Sequence, residues 1–164
     1  MQAKTYLAVP ALVFLTWINP VSAANLRPYS ESSDPKAALV AAVTEARSLG
    51  KKVLITFGSD WCPDCRAFDQ QLQKEPLNAL ISHAFIVIKA DIGHWDKNMD
   101  FANRFGNPVQ NGIPAIAVID ADQKQYYVTP GGELAHIRHL SIERLTEWFA
   151  LLADGAHKKS SLHH

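Results

Sequence analysis

Val53-Leu54-Ile55-Thr56-Phe57-Gly58-Ser59-Asp60-Trp61-Cys62-Pro63-Asp64-Cys65 is the stretch whose reading decides the fold of this chain. Val53 to Phe57 is a short apolar run rich in β-branched residues, the composition of a strand buried on both faces. Gly58 to Trp61 turns the chain, and a helix is expected from about Cys62 toward Ser82. Pro63 is tolerated there only in the first turn, whereas Pro76, deep in the same stretch, should kink or split the helix. Cys62 and Cys65 are the only two cysteines. As a structural staple the pair would close a loop of about four residues, worth only about 2 kcal/mol against roughly 4.7 for a 100-residue loop. A structural zinc site usually takes four ligands, and this pair supplies two. The two sulfurs therefore read as reactive.

Upstream of this stretch, Asp34 can cap a helix that Pro35 begins. Leu39, Ala42, Val43 and Ala46 fall at helical spacing, and Gly50 ends the element. Downstream, Phe85 to Ala90 reads as a second buried strand, and Asp96 to Phe105 as a helix stopped by Gly106 and Pro108. Ala115 to Ile119 is a third strand, Asp120-Ala121-Asp122 a turn, and Gln125 to Thr129 the returning strand of a hairpin. The last helix opens on Ser141, with Leu140 and Leu145 placed as a hydrophobic staple. Leu145, Trp148, Phe149 and Leu152 form its apolar face, and Gly155 stops it. The order is α-β-α-β-α-β-β-α. Strands separated by helices imply parallel pairing, and the late hairpin adds an antiparallel pair. The expected fold class is α/β, a central mixed four-stranded sheet with helices on both faces.

The chain has 164 residues, enough for one domain, and its 16 basic and 16 acidic residues balance. That balance leaves no long-range field to mark nucleic acid as a partner, and no nucleic-acid motif is present. Lys4, an apolar run from Tyr6 to Ile18, a break at Asn19-Pro20 and small residues at Val21-Ser22-Ala23 have the layout of a secretory signal over residues 1–23. The apolar run is about 13 residues, where a spanning helix needs about 20. A polar lead-in follows over 24–33, then the domain over 34–156 and a frayed tail over 157–164. An exported, most readily periplasmic, protein works where disulfides persist.

The strand Val53 to Phe57, the tight turn and Trp61-Cys62-Pro63-Asp64-Cys65 at a helix head resemble the redox motif of the thioredoxin-like superfamily. Gly112-Ile113-Pro114 and the strand Ala115 to Ile119, about 50 residues further on, resemble the segment that faces it. The element order agrees from about Asp34 to Asp154. The resemblance implies a thioredoxin-like fold, a redox-active disulfide Cys62–Cys65, a cis bond before Pro114, and an extended peptide held beside Trp61, Ile113 and Pro114. It also implies a protein-disulfide oxidoreductase with no cofactor or resident metal of its own. Its substrates would be disulfide-containing proteins, its electrons would come from a membrane-embedded donor, and it would act as a monomer.

The chemistry has its own physical reasons. Exchange needs a thiolate to attack a disulfide sulfur, and a second thiol to release the mixed disulfide. Cys62, in the first helical turn, sits where free amides and the helix dipole favour negative charge, so it is the expected nucleophile. Cys65, one turn further in and better buried, is the expected resolving thiol. Asp60 and Asp64 should disfavour the Cys62 thiolate, which points to a reductase-like poise. The family usually carries a buried Asp six residues before the first cysteine. Thr56 stands there instead, so Cys65 must lose its proton to water or to another carboxylate.

Two other functions fit the same pair: a Cu(I)-handling module and a peptide-binding module without turnover. His94-Trp95 reads as a surface pair at a strand end, and His136 with His139 as solvated histidines. Asn107 to Asn111 reads as a long loop beside the peptide groove.

Overall fold

The computed structural model describes residues 27–29 and 34–155. The expected leader, most of the lead-in and the tail lie outside the described residues. Asp34 accepts the Lys36 N–H at 2.9 Å and opens α1 (Pro35–Leu49), which ends on Gly50 in the left-handed conformation. Strand β1 (Lys52–Gly58) follows, then α2 (Pro63–Leu72) and α3 (Leu77–Ala84), so the helix expected to break at Pro76 is two helices. Strand β2 (Phe85–Asp91), a short α4 (Met99–Asn103), β3 (Ala115–Ile119) and β4 (Gln125–Val128) come next. A single 3-10 turn (Ile137–His139) precedes α5 (Ile142–Asp154). Ser141 caps α5 by accepting the Arg144 N–H at 3.3 Å, and Gly155 ends it in the left-handed conformation.

The four strands lie in the order β2-β1-β3-β4. β1 runs parallel to β2, with Val53 opposite Ile86, and antiparallel to β3, with Phe57 opposite Ala115. β3 and β4 form the antiparallel hairpin. The direction of β3 corrects the expectation that strands separated by a helix pair in parallel. A crossover helix must carry the chain back along the sheet. The five residues of α4 rise only about 7.5 Å, whereas a seven-residue strand such as β2 spans about 23 Å. The chain therefore re-enters the sheet at the end where β2 left it, and β3 runs back. α4 is also shorter than the expected Asp96 to Phe105, because Trp95 and Asn98 adopt left-handed backbone before it.

Alternation along β1 and β3 sorts the core into two layers. Val53, Ile55 and Phe57 with Ala115, Ala117 and Ile119 face α1 and α4. Leu54, Ile116 and Val118 face the other side, where Phe68, Leu77, Leu145, Trp148, Phe149 and Leu152 from α2, α3 and α5 cover them. The sheet is thus buried on both faces, and the C-terminal end of β1 is left between the layers as a platform for α2.

Candidate active site

β1 ends at Gly58, and the turn Ser59 to Trp61 delivers Cys62 to the N-cap of α2. Cys62 has extended backbone (φ −78, ψ 117), and its Sγ accepts the Cys65 N–H at 3.2 Å. Pro63 occupies the first helical position, where its missing N–H costs nothing. On the opposite side the Cys62 thiol donates to the Ile113 carbonyl at 3.7 Å, just before a cis Ile113–Pro114 bond. Both thiols are free; Cys62 is 5% exposed and Cys65 fully buried.

This placement separates the two sulfurs chemically. Cys62 is brought down to about 7, chiefly because the Cys65 thiol hydrogen-bonds to it and then because the Cys65 and Asp64 backbone amides stabilise its anion. Partial burial and, more weakly, the Asp64 charge work the other way. Cys65 is pushed far up, first by burial, then by its hydrogen bond to Cys62 and by the negative charge there. Two of those three causes vanish once Cys62 is bonded to another sulfur. The arrangement can therefore present one thiolate near neutral pH and hold a second thiol in reserve until the first has reacted.

The expected site residues are gathered here, with different attachments. Asp64 is held by Arg138 Nε at 2.8 Å, and Asp60 turns away to accept the Tyr29 backbone N–H at 2.9 Å. Trp61 is 42% exposed and fixed by its Nε1, which donates to the Gly93 carbonyl at 2.7 Å. Pro114 is buried, and half-buried Ile113 packs against the cysteines. Thr56 is buried in β1 with its Oγ1 3.4 Å from the Ile88 carbonyl.

Three sets of contacts were not foreseen from the sequence, the first of them around the His94-Trp95 pair, which reads there as a surface pair. His94 stacks on Trp61, with ring centroids 4.9 Å apart and planes within 6°. Trp95, 44% exposed, lies 5.8 Å from Trp61 and donates from Nε1 to the Val109 carbonyl at 3.1 Å. The pair thus extends the Trp61 surface, and the loop Asn107 to Asn111 buttresses it. Gly93 suits this turn because its φ is +57, in the left-handed region, and a Cβ there would crowd the Asp96 Oδ1 that accepts the His94 N–H at 2.7 Å. The second feature is Tyr29, wholly buried against both cysteines. The third is an ion pair between Lys89 Nζ and Asp69 Oδ1, 2.6 Å apart and mostly buried, joining β2 to α2. A Trp following a strand end was a usable signal for the first. Nothing in the spacing of Tyr29 tied it to the cysteines. His136 and His139 stand with ring centroids 6.4 Å apart, outside this centre. Among the described residues no group of three His, Cys, Asp or Glu side chains is placed to hold a metal, and none of the helices is long and apolar enough to cross a membrane.

Comparison with known proteins agrees with this geometry. The family model described as thioredoxin-like matches residues 34–121. A disulphide isomerase from Xylella fastidiosa Temecula1 is 39% identical, with a TM-score of 0.74 over 79% of this chain and 98% of that one. The C-terminal domain of DsbD from Neisseria meningitidis, in the oxidised form, shares the fold at 18% identity, with a TM-score of 0.53 over 73% of this chain and 96% of that one. Thiol:disulfide interchange protein DsbD 1 of Pseudomonas aeruginosa (strain PAO1) is 28% identical over 97 residues, which are 59% of this chain and only 15% of that protein. The chain belongs to the thioredoxin-like family and is a thiol–disulfide oxidoreductase.

Proposed function

We propose that this protein reduces or exchanges disulfides of other proteins outside the cytosol, with Cys62 as nucleophile and Cys65 as resolving thiol. The carrying observation is the asymmetry of the pair: Cys62 caps a helix and faces the Ile113 carbonyl, while Cys65 is sealed beneath it. A substrate disulfide approaches Cys62 along the surface formed by Trp61, Ile113 and Pro114. The Cys62 thiolate attacks one substrate sulfur, and the second sulfur leaves as a thiolate. Cys65 then attacks Cys62 Sγ, closing the Cys62–Cys65 disulfide and releasing the reduced substrate.

A nucleophile near 7 supports a reducing role, since strong oxidants of this class hold theirs near 3.5. The oxidised form would be recharged by a membrane-embedded donor, and the protein would work as a periplasmic monomer. Isomerisation is the second reading, favoured by the description of the Xylella fastidiosa relative as a disulphide isomerase. Replacing Cys65 with Ser should accumulate mixed disulfides through Cys62, recoverable from periplasmic extract and released by reductant. If that variant traps nothing, exchange is not the function. Equilibration with glutathione should place the couple below about −200 mV; a value near the −120 mV of a strong oxidant would refute the reducing role.

A further inference from the structure

Tyr29 is a buried phenol that the exchange steps above do not use. It comes from the lead-in, where Arg27, Pro28 and Tyr29 reach across the head of α2. Its backbone N–H is tied to Asp60 Oδ1 at 2.9 Å, and its side chain is 1% exposed in a cluster with Cys62 and Cys65. The far end of the ring lies over Gly58. A Cβ on Gly58 would meet Tyr29 Cζ at 2.4 Å and Oη at 2.6 Å, so the close approach requires glycine there. The hydroxyl is hydrogen-bonded to Thr56, the residue on β1 where a carboxylate was missed in the sequence.

The groups facing the phenol come from each element packed around it. Cys62 and, from α2, Cys65 and Asp69 act on it, with Thr56 from β1, while Asp60 in the turn between β1 and α2 holds only the Tyr29 backbone and Lys89 from β2 engages Asp69. Burial foremost, then the charges of Cys65, Asp69 and Cys62, hold the phenol well above its ordinary value, so it is neutral and keeps its proton at working pH. Asp69 also lines a pocket of about 500 Å³ with Arg27, Pro28, Asp60, Trp61 and Arg66, so its carboxylate communicates with water while the phenol does not.

We propose that Tyr29 is the proton relay for Cys65, carrying the thiol proton from the sealed sulfur toward Asp69 in the second step of exchange. This rests on the exchange reading above. In the mixed disulfide, Cys62 is no longer an anion, and the Cys65 proton is released. Cys65 Sγ–H gives its proton to the Tyr29 oxygen as the phenolic proton passes to the Asp69 carboxylate, which hands it on to water in the pocket. The Cys65 electron pair attacks Cys62 Sγ. The Cys62–Cys65 bond forms, and the bond between Cys62 and the substrate sulfur breaks, its electron pair leaving on that sulfur, which is protonated from solvent. The protein dithiol loses two electrons and the substrate disulfide gains them. Lys89 holds the Asp69 carboxylate in place from β2, at 2.6 Å.

Tyr29→Phe in the full protein tests this, because it removes only the hydroxyl and keeps the ring that seals Cys65. With a small aromatic disulfide as probe, stopped-flow measurement separates formation of the Cys62 mixed disulfide from its resolution by Cys65. Formation should be unchanged, resolution should slow by at least tenfold, and the slowed step should now accelerate with hydroxide across pH 6–9. Asp69→Asn should give the same split. Resolution of the Tyr29→Phe mixed disulfide at the unaltered rate and with the unaltered pH profile overturns the relay while leaving exchange intact. A wild-type protein that forms no Cys62 mixed disulfide overturns the exchange reading, and the relay with it.

Discussion

The mouth above Cys62 and the floor beneath Cys65 are built within one helical turn of each other, and by opposite rules. The mouth is made of exposed rings. His94 stacks on Trp61 and Trp95 lies tilted against it, each indole anchored by an N–H to a backbone carbonyl. The floor is made of polar groups below the surface: buried Tyr29 hydrogen-bonded to Thr56, and beside them the Lys89–Asp69 pair, which is only partly exposed. Anchored rings at the mouth offer a surface to a partner without having to be ordered on binding. Enclosure at the floor keeps Cys65 from solvent. Two residues of one type, three positions apart, thus acquire different chemistry from what surrounds them.

Removing the floor is the strongest way to break this difference. Tyr29→Ala deletes a fully buried aromatic ring, a change that costs about 3–5 kcal/mol in a packed interior. The thermal midpoint of the reduced protein should fall by roughly 10 °C or more. Cys65 should become open to a thiol reagent, so native protein takes up two equivalents where the unaltered protein takes one quickly. A Tyr29→Ala protein as stable as the parent, with Cys65 still protected, would mean that the lead-in does not seal the site.

The chemical contrast predicts a second, smaller effect. Cys62 is lowered from its ordinary value to about 7, so its thiolate fraction, and with it the rate of alkylation by iodoacetamide, should rise with pH through a midpoint near 7. The largest cause is the hydrogen bond from the Cys65 thiol. Cys65→Ala removes that donor and should move the midpoint upward, toward that of an ordinary cysteine, so that less thiolate is present at pH 7. A midpoint unchanged by Cys65→Ala would assign the lowering to the helix end alone.

How far this organisation could be read from the chain depends on how local its causes are. Helix α1 with Asp34 and Gly50, helix α5 with Ser141 and Gly155, and the strand into Trp61-Cys62 are set by caps and periodicity within a few residues, and they are legible. The difference between the two sulfurs is legible in part: their three-residue spacing at a helix head sets the hydrogen bond between them, while the burial of Cys65 depends on distant residues. The direction of β3 was not legible, because it depends on how far α4 reaches, and Trp95 and Asn98 spend the residues before α4 in left-handed backbone. Nor was the floor. Tyr29 meets Cys65 across an interval of 36 residues, and Asp69 meets Lys89 across 20; neither interval has a period that would announce a contact. Thr56 marked a missing carboxylate, and only the packing around it shows Tyr29 standing there.

The smallest expected effect lies at the rim between mouth and floor. Asp64 sits between the two cysteines, and its charge opposes the Cys62 thiolate more weakly than the hydrogen bonds from Cys65 and the Asp64 amide favour it. Arg138, from the turn before α5, holds Asp64 at 2.8 Å, with its own side chain more than half exposed. An ion pair so open to water contributes between nothing and about 1 kcal/mol. Arg138→Ala removes a compensating positive charge, so Asp64 should oppose the thiolate more fully and the Cys62 midpoint should rise by a few tenths of a pH unit. Asp64→Asn, which removes the opposing charge itself, should lower it by a similar amount. The two shifts must have opposite signs. If both variants move the midpoint in the same direction, the carboxylate acts on Cys62 through the shape of the helix end rather than through its charge, and the rim belongs to the packing of the floor.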